Sequence, residues 1–142
     1  MRTPLLALAA VASLPLLAGA RRSPATPALA TTRITVDARC AGPNNTQVTV
    51  APWNARIAQG DSVEWVVNAA ANTSEVTITA KRANSWPFTA APPYRGSKAA
   101  PARGAGMRNN ARGRYSYNIQ LVCQSGATPP DTVLIDPDII VD

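Results

Sequence analysis

The sequence predicts an all-β fold, a β-sandwich of about seven strands. Beyond Arg33, apolar residues alternate with polar ones in most segments, which is the period of a strand that buries one face. Residues that favour turns separate these segments. No long segment shows the period of about 3.6 residues that marks an amphipathic helix. We therefore expect two sheets that pack their apolar faces together.

The expected strands follow from the alternating positions. They cover residues 34–40, 48–50, 63–67, 76–80 and 115–123, and a last strand pair covers 132–135 and 138–141. Gly, Pro, Asn and Asp cluster between them and predict turns at 42–45, 59–61, 68–72, 125–126 and 136–137. The clearest strand is 115–123, because its apolar residues alternate with mostly polar ones over its whole length.

The first 20 residues have the pattern of a secretory signal peptide. Arg2 supplies the charged start, residues 5–17 form an apolar core, and residues 18–20 give a small-x-small cleavage site. The apolar core is shorter than the roughly 20 residues needed to span a bilayer. A second small-x-small site lies at residues 28–30. We expect a secreted or periplasmic protein, with either site as the point of cleavage.

After the signal peptide, the sequence predicts a flexible tether and one domain. Residues 21–32 are rich in Pro and Ala, as linkers are, and residues 33–142 contain the expected strands. Within the domain, residues 90–113 combine Pro and Gly with few large apolar side chains and predict a long loop. Eight basic residues occur from Lys81 to Arg114, and no acid occurs between Glu75 and Asp131. The net charge of +6 is therefore concentrated in and around this loop.

The chain contains no histidine, which excludes whole classes of chemistry. Ser/His/Asp and Cys/His catalysis, histidine-based zinc sites and the His₂Cys set of type 1 copper all need imidazole. A hydrolase with paired carboxylates needs two converging acids, but the only glutamates are Glu64 and Glu75. Glu64 alternates with Val63 and Trp65 and is expected to face solvent. We therefore expect no enzyme activity.

Carboxylates near the end of the chain offer a calcium site as an alternative. Asp131, Asp136, Asp138 and Asp142 are close in sequence, and carboxylate oxygens are calcium ligands. They lack the ligand-dense loop that such sites use, and an Asp-Pro-Asp turn into a final strand accounts for them. Neither a metal nor another cofactor is predicted.

Two segments resemble cupredoxins. Residues 52–65 resemble the early strand-turn-strand of that family, and at their centre the Gly60-Asp61 turn precedes Val63-Glu64-Trp65. Residues 113–117, Gly-Arg-Tyr-Ser-Tyr, resemble the strand that carries the copper cysteine in plastocyanin-like members. The resemblance covers most of the mature chain and implies a Greek-key sandwich. A secreted immunoglobulin-like sandwich that binds anionic polymers is the alternative.

The copper ligands of the family are not matched by this sequence. By spacing, the first family histidine falls at Thr73 or Ser74, and the copper cysteine falls at Ile119. The later histidine and methionine would fall within residues 124–128, which read Gln-Ser-Gly-Ala-Thr. The resemblance therefore implies a copper-free cupredoxin-like domain, and electron transfer through bound copper is disfavoured.

The two cysteines, Cys40 and Cys123, are expected to form a disulfide. An even cysteine count in an exported protein is typical of a disulfide framework, and both cysteines are in phase with the apolar positions of their strands. In the cupredoxin sandwich, the early and penultimate strands can lie close together. A bond would close a loop of about 80 residues and add roughly 4 kcal/mol in the chain-entropy model. A reactive thiol is disfavoured, because it needs an exposed electropositive setting.

The basic loop provides the candidate binding residues. These are Arg95, Lys98, Arg103, Arg108, Arg112 and Arg114, with Tyr94 and Trp86 at the margin. The candidate partners are an anionic polysaccharide, a lipid surface or an acidic protein. Nucleic acid is disfavoured, because the arginines are scattered among Pro and Gly in an exported chain. The alternative is a solvated loop whose charge only aids solubility. We expect a non-enzymatic binding or structural module.

Overall fold

The computed structural model describes residues 28–41, 45–68, 71–123 and 132–142. Within these ranges the chain forms ten β-strands and one short 3₁₀ turn, Ala83–Ser85. The strands are β1 (Thr31–Cys40), β2 (Thr46–Ala51), β3 (Asn54–Ile57), β4 (Ser62–Val67), β5 (Thr73–Ala80), β6 (Tyr94–Ser97), β7 (Ala102–Gly104), β8 (Gly113–Cys123), β9 (Thr132–Ile135) and β10 (Asp138–Val141). The expected signal peptide, most of the tether, the predicted turn at 125–126 and parts of those at 42–45 and 68–72 lie outside the described residues.

The strands form two mixed sheets. The first has the order β2-β1-β4-β7, and β1 runs parallel to β4. The second has the order β3-β10-β8-β5-β6, with β9 also paired to β8, and β3 runs parallel to β10. Apolar side chains from both sheets form a single buried cluster. The predicted all-β sandwich is therefore confirmed.

The core is centred on an aromatic pair that joins the two sheets. Trp65 on β4 and Tyr117 on β8 are fully buried, and the Trp65 Nε1–H donates a hydrogen bond of 3.0 Å to the Tyr117 hydroxyl. Aliphatic residues at alternate positions surround the pair, among them Ile34, Val36, Val63, Val76, Ile78, Ile119, Leu121 and Ile139. Each such side chain stabilises the fold by about 1.5–3 kcal/mol when fully buried.

The Cys40–Cys123 disulfide is present, as predicted. It joins the last residue of β1 to the last residue of β8, and so links the first sheet to the second. The two Cα atoms lie 5.8 Å apart, and both side chains are buried. Both sulfur atoms therefore lie on the inner faces of their strands, as the alternation predicts.

The last two strands differ from the predicted strand pair. Strands β9 and β10 both lie along the same side of β8 in one continuous register, from Val122↔Thr132 to Gly113↔Val141. Between them, the Tyr117 amide still donates to the Pro137 carbonyl over 3.1 Å. Pro137 has no amide hydrogen, so it interrupts the ladder without reversing the chain. The predicted turn at 136–137 is therefore wrong, and β9 and β10 are two halves of one extended segment.

Residues 90–113 contain two short strands where the sequence predicts only a long loop. Strand β6 pairs with β5 in the second sheet, and β7 pairs with β4 in the first, so the chain crosses between the sheets. The inward residues Tyr94 and Ala102 are buried. Three or four residues are too few to display a period of two, and Ala102 is too small to mark an apolar face. The alternation of apolar residues therefore does not predict these two strands.

Strand β1 begins at Thr31, two residues before the expected domain start at Arg33. Thr31 and Thr32 pair with the first residues of β4, and the Ala30 amide donates to the Asp61 carboxylate over 2.9 Å. The last residues of the predicted tether therefore belong to the first sheet.

Candidate functional site

A cleft of about 280 Å³ opens where β5 ends beside the start of β8. A second hollow of about 170 Å³ adjoins it and shares Ser85, Trp86 and Tyr115 with it. We name the two together the basic cleft. Its principal lining residues are Lys81, Arg82, Trp86, Arg108, Arg114 and Tyr115. The cleft is therefore bounded by four cationic and two aromatic side chains.

The basic cleft exists because β5 stops before β8 does. The pairing of β5 with β8 ends at Ala80↔Tyr117, and one further bond joins the Lys81 amide to the Ser116 carbonyl over 3.3 Å. The chain then leaves the sheet through the 3₁₀ turn and reaches Trp86. Residues 113–116 of β8 pair with β10 on one side only. The space between this part of β8 and the departing chain is the cleft.

The aromatic floor of the cleft is anchored in the core. Trp86 is 2% exposed, and its Nε1–H donates to the Tyr94 hydroxyl over 2.8 Å. The Tyr94 hydroxyl in turn donates to the Ala90 carbonyl. The Trp86 ring also meets Phe88 and Tyr117 edge-on, with ring centroids 5.8 and 6.1 Å away. Both hydrogen bonds and close packing therefore fix the orientation of the indole.

Burial changes the acidity of the two tyrosines behind the cleft. Burial raises the pKa of Tyr117 well above its ordinary value of 10.0, and the hydrogen bond from Trp65 opposes this only in part. Burial also raises the pKa of Tyr94, against the opposing effects of the Trp86 hydrogen bond and the charge of Arg108. Both phenols therefore keep their protons at neutral pH and act as acceptors for the indole N–H groups.

Ion pairs neutralise part of the charge around the cleft. Lys81 pairs with Asp136 at 2.8 Å, and Arg114 pairs with Asp138 at 3.1 Å. The Lys81 and Arg114 side chains remain 39% and 63% exposed, so both pairs are screened by water and each is worth at most about 1 kcal/mol. Within the described residues, the Arg82 side chain has no hydrogen-bond or ion-pair partner. The cleft therefore keeps a positive excess.

The structure divides the six basic residues that the sequence predicts as a binding surface. Arg108 and Arg114 line the basic cleft, and the Arg112 amide donates to the Tyr115 hydroxyl beside it over 3.0 Å. The other three, Arg95, Lys98 and Arg103, do not line it.

Those three residues lie on β6, on β7 and in the turn between the strands. Arg95 belongs to the second sheet and Arg103 to the first, where Arg103 pairs with Glu64 at 2.8 Å. Lys98 lies in the turn that joins the two strands. Because the segment crosses between sheets, neighbours in sequence reach different surfaces.

Sequence reasoning missed three residues of the cleft, among them Tyr115, which it assigned only to a strand, and misplaced one further residue. Lys81 and Arg82 were counted in the basic stretch but not assigned to a site, although they directly follow an expected strand and precede Trp86. Tyr94, expected at the margin of the binding surface, is 9% exposed and belongs to the core. The available signal was the end of the predicted strand at Ala80, after which cations and an aromatic residue come together.

The positions that the cupredoxin resemblance assigned to copper ligands do not fit a copper ion. Thr73 is fully buried, and its hydroxyl donates to the backbone carbonyls of Val122 and Glu75, at 2.7 and 3.2 Å. Ile119 has no ligand atom and is fully buried in the core. Residues 124–128 lie outside the described residues. In the described part of the chain, no group of three or more His, Cys, Asp or Glu side chains could hold a metal ion.

The candidate calcium carboxylates are dispersed among basic partners. Asp136 pairs with Lys81, Asp138 with Arg114, and Asp142 with Arg56 at 2.9 Å. Asp131 lies outside the described residues.

Glu64, expected to face solvent, lies on the outer side of β4 but is only 15% exposed. It accepts ion pairs from Arg33 at 3.7 Å and Arg103 at 2.8 Å, one on each neighbouring strand. A carboxylate engaged in this way stabilises the sheet.

Comparison of the chain with protein-family models gives no match, and comparison with curated proteins gives none either. Within the described residues, no helix is long and apolar enough to cross a membrane. The cleft, the disulfide and the charge distribution are therefore the features of the chain that bear on its function.

Proposed function

We propose that this protein is an exported, non-enzymatic binding module, a copper-free cupredoxin-like domain that captures an anionic ligand in the basic cleft. One observation carries the proposal. Cations from three separate parts of the chain converge on a cleft with an aromatic floor. The first part supplies Lys81 and Arg82, the second Arg108 and the third Arg114.

Export and the fold family have separate support. The Cys40–Cys123 bond is of the kind that forms and persists outside the reducing cytoplasm. Two mixed sheets in a sandwich, with β1 parallel to β4 and β3 parallel to β10, agree with a cupredoxin-like arrangement. An immunoglobulin-like sandwich would carry the same cleft, so the binding proposal does not depend on that choice.

The chemistry of the cleft suits an anion held by several charge-assisted hydrogen bonds. Guanidinium groups offer forked donors to carboxylate, sulfate or phosphate oxygens, and such bonds are about twice as strong as neutral ones. The Arg82 guanidinium has no partner in the described part of the chain, so all its N–H donors are available to a ligand. Half-buried Tyr115 adds flat apolar surface beside the cations, next to the buried ring of Trp86. A ligand with both charge and an apolar part would use the whole cleft.

The test compares two variants that change net charge equally. In Lys81→Ser/Arg82→Ser, two cations of the cleft are removed. In the matched control, Arg95→Ser/Lys98→Ser, two exposed cations outside the cleft are removed. The mature protein and both variants are eluted from immobilised heparin, a sulfated polysaccharide, with a salt gradient.

We expect the cleft variant to elute at clearly lower salt than the parent protein, and the control to elute close to it, because only the cleft gathers its cations around one ligand. Equal shifts for the two variants would mean that net charge alone causes retention, and the cleft would lose its assigned role. Failure of the parent protein to bind at all would also contradict the proposal.

A further inference from the structure

The wall of the basic cleft that β8 forms is an open edge of the second sheet. Along β8, the backbone N–H and C=O groups of successive residues point alternately to the two neighbouring strands. The Tyr117 amide donates to Pro137 on the β10 side, and the Ser116 carbonyl accepts from Lys81 on the β5 side. Ser116 and, two residues earlier, Arg114 therefore direct their backbone groups into the cleft.

Three of these four backbone groups have no partner in the described part of the chain. Strand β5 has ended at Ala80, and Lys81 supplies only the one bond to the Ser116 carbonyl. The Ser116 amide and both backbone groups of Arg114 face the place that β5 would occupy if it continued. Three hydrogen-bonding groups are thus arranged at strand spacing beside four cations.

We propose that the occupant of the basic cleft is an extended acidic peptide segment, which adds a short strand antiparallel to β8 in the place of the missing part of β5. This inference rests on the proposed function, because it assigns the ligand class of the same cleft. Strand addition to an open edge draws affinity from main-chain hydrogen bonds and specificity from alternate side chains. A sugar or a lipid head group can meet the cations, but it does not present N–H and C=O groups at strand spacing.

The register of β8 also predicts the sequence pattern of the peptide. Directly opposed residues in an antiparallel pair have their side chains on the same face. Arg114 lies on the outer face of the second sheet, and Tyr115 points inward, toward the side of Trp86. A peptide residue opposite Arg114 therefore meets a cation, and its neighbours meet the aromatic floor. Acidic residues should alternate with apolar ones.

The same register determines which peptide amides would donate hydrogen bonds to β8. The residue opposite Arg114 forms a hydrogen-bonded pair with it, so the amides of the acidic residues point at β8. The amides of the apolar residues point away from it. Methylation of the backbone nitrogen removes an amide donor without changing the side-chain charge. The two sets of amides can therefore be tested separately in one peptide.

The probe is an acetylated and amidated hexapeptide of alternating Glu and Val, with binding measured by isothermal titration calorimetry. Two analogues carry N-methyl groups, one on the Glu nitrogens and the other on the Val nitrogens. We expect the first analogue to bind about tenfold more weakly than the parent peptide, and the second to bind within about twofold of it. On adding the parent peptide, we also expect the Arg114 and Ser116 amides to exchange with solvent at least about tenfold more slowly.

The outcomes separate this inference from the proposed function. Equal binding of both N-methyl analogues, or unchanged exchange at Arg114 and Ser116, would overturn strand addition even if the peptide binds through charge. Binding of heparin oligosaccharide or anionic phospholipid vesicles at the cleft, with no binding of the peptide, would also overturn it and would leave anion capture standing. If the Lys81→Ser/Arg82→Ser variant bound peptide and heparin as the parent protein does, the proposed function itself would fail.

Discussion

Replacement of both Cys40 and Cys123 by alanine should cost the protein about 4.5 kcal/mol of unfolding free energy. The figure follows from the chain-entropy relation for a closed loop, applied to the sequence separation of 83 residues. A small domain has a total unfolding free energy of about 5–15 kcal/mol. The bond is therefore expected to supply a large part of the stability of this fold.

The groups around the disulfide explain why its removal should act mainly by increasing the conformational entropy of the unfolded chain. The Asn72 side chain accepts from the Cys40 amide and donates to the Cys40 carbonyl, so it holds the end of β1 as a neighbouring strand would. Thr73 pairs with Cys123 at the end of β8. Both strand ends thus keep their backbone partners when the sulfur atoms are removed. The native structure should change little, and most of the loss should come from the freed unfolded chain.

Urea denaturation measures this loss. With a urea dependence of about 2 kcal/mol per molar, the midpoint of Cys40→Ala/Cys123→Ala should fall by about 2 M. Reductant should lower the midpoint of the parent protein to a similar value and should leave that of the variant unchanged. A variant midpoint within about 0.5 M of the parent value would refute the reasoning, since the bond would then constrain the unfolded chain very little.

Further predictions concern the aromatic core and a close backbone approach. Tyr117→Phe leaves the Trp65 N–H without its acceptor and should lower the unfolding free energy by about 1–3 kcal/mol in urea titrations; an unchanged midpoint would contradict this. Since burial raises the folded-state pKa of Tyr94 and Tyr117 above 10.0, the unfolded chain loses these protons first. Unfolding free energy measured against pH should therefore fall above about pH 10, less steeply in Tyr117→Phe, and equal slopes would count against the assignment. In Gly104→Ala, the added Cβ would lie 2.8 Å from Cε2 of buried Phe88, so we expect a thermal midpoint lower by several degrees, and parent-like melting would show that the ring can move aside.

Long alternation made the centre of the fold predictable. Strand β8 is predictable because nine successive residues, 115–123, give the period of two room to show. The same phase placed Cys40 and Cys123 on inward faces, and their bond follows. Strands β6 and β7 escaped detection because each is only three or four residues long. The prediction of a turn at Pro137 is wrong because proline is common both in turns and at interruptions of a strand ladder, so its presence does not distinguish the two.

The candidate site was harder to predict, because it depends on the relation between two strands. The basic cleft forms because the pairing of β5 ends opposite Tyr117, four residues short of the start of β8, and no local pattern contains that difference in length. Lys81 and Arg114 are distant in sequence but line one cleft. Arg95 and Arg103 are closer in sequence but lie in different sheets. A count of charges along the chain therefore groups residues that the structure places on different surfaces.

The distribution of ion pairs explains why the cleft should attract an acidic partner from a distance. On the first sheet, Glu64 offsets Arg33 and Arg103, so charge of both signs is interspersed there. Within the described residues, Arg82 and Arg108 have no carboxylate partner, and both line the cleft. Cations gathered in a concave surface focus the electric field and speed the approach of an anion, and added salt weakens this effect. The rate of association of the Glu–Val peptide should therefore fall steeply with ionic strength, while its dissociation, controlled by the backbone bonds to β8, should change far less.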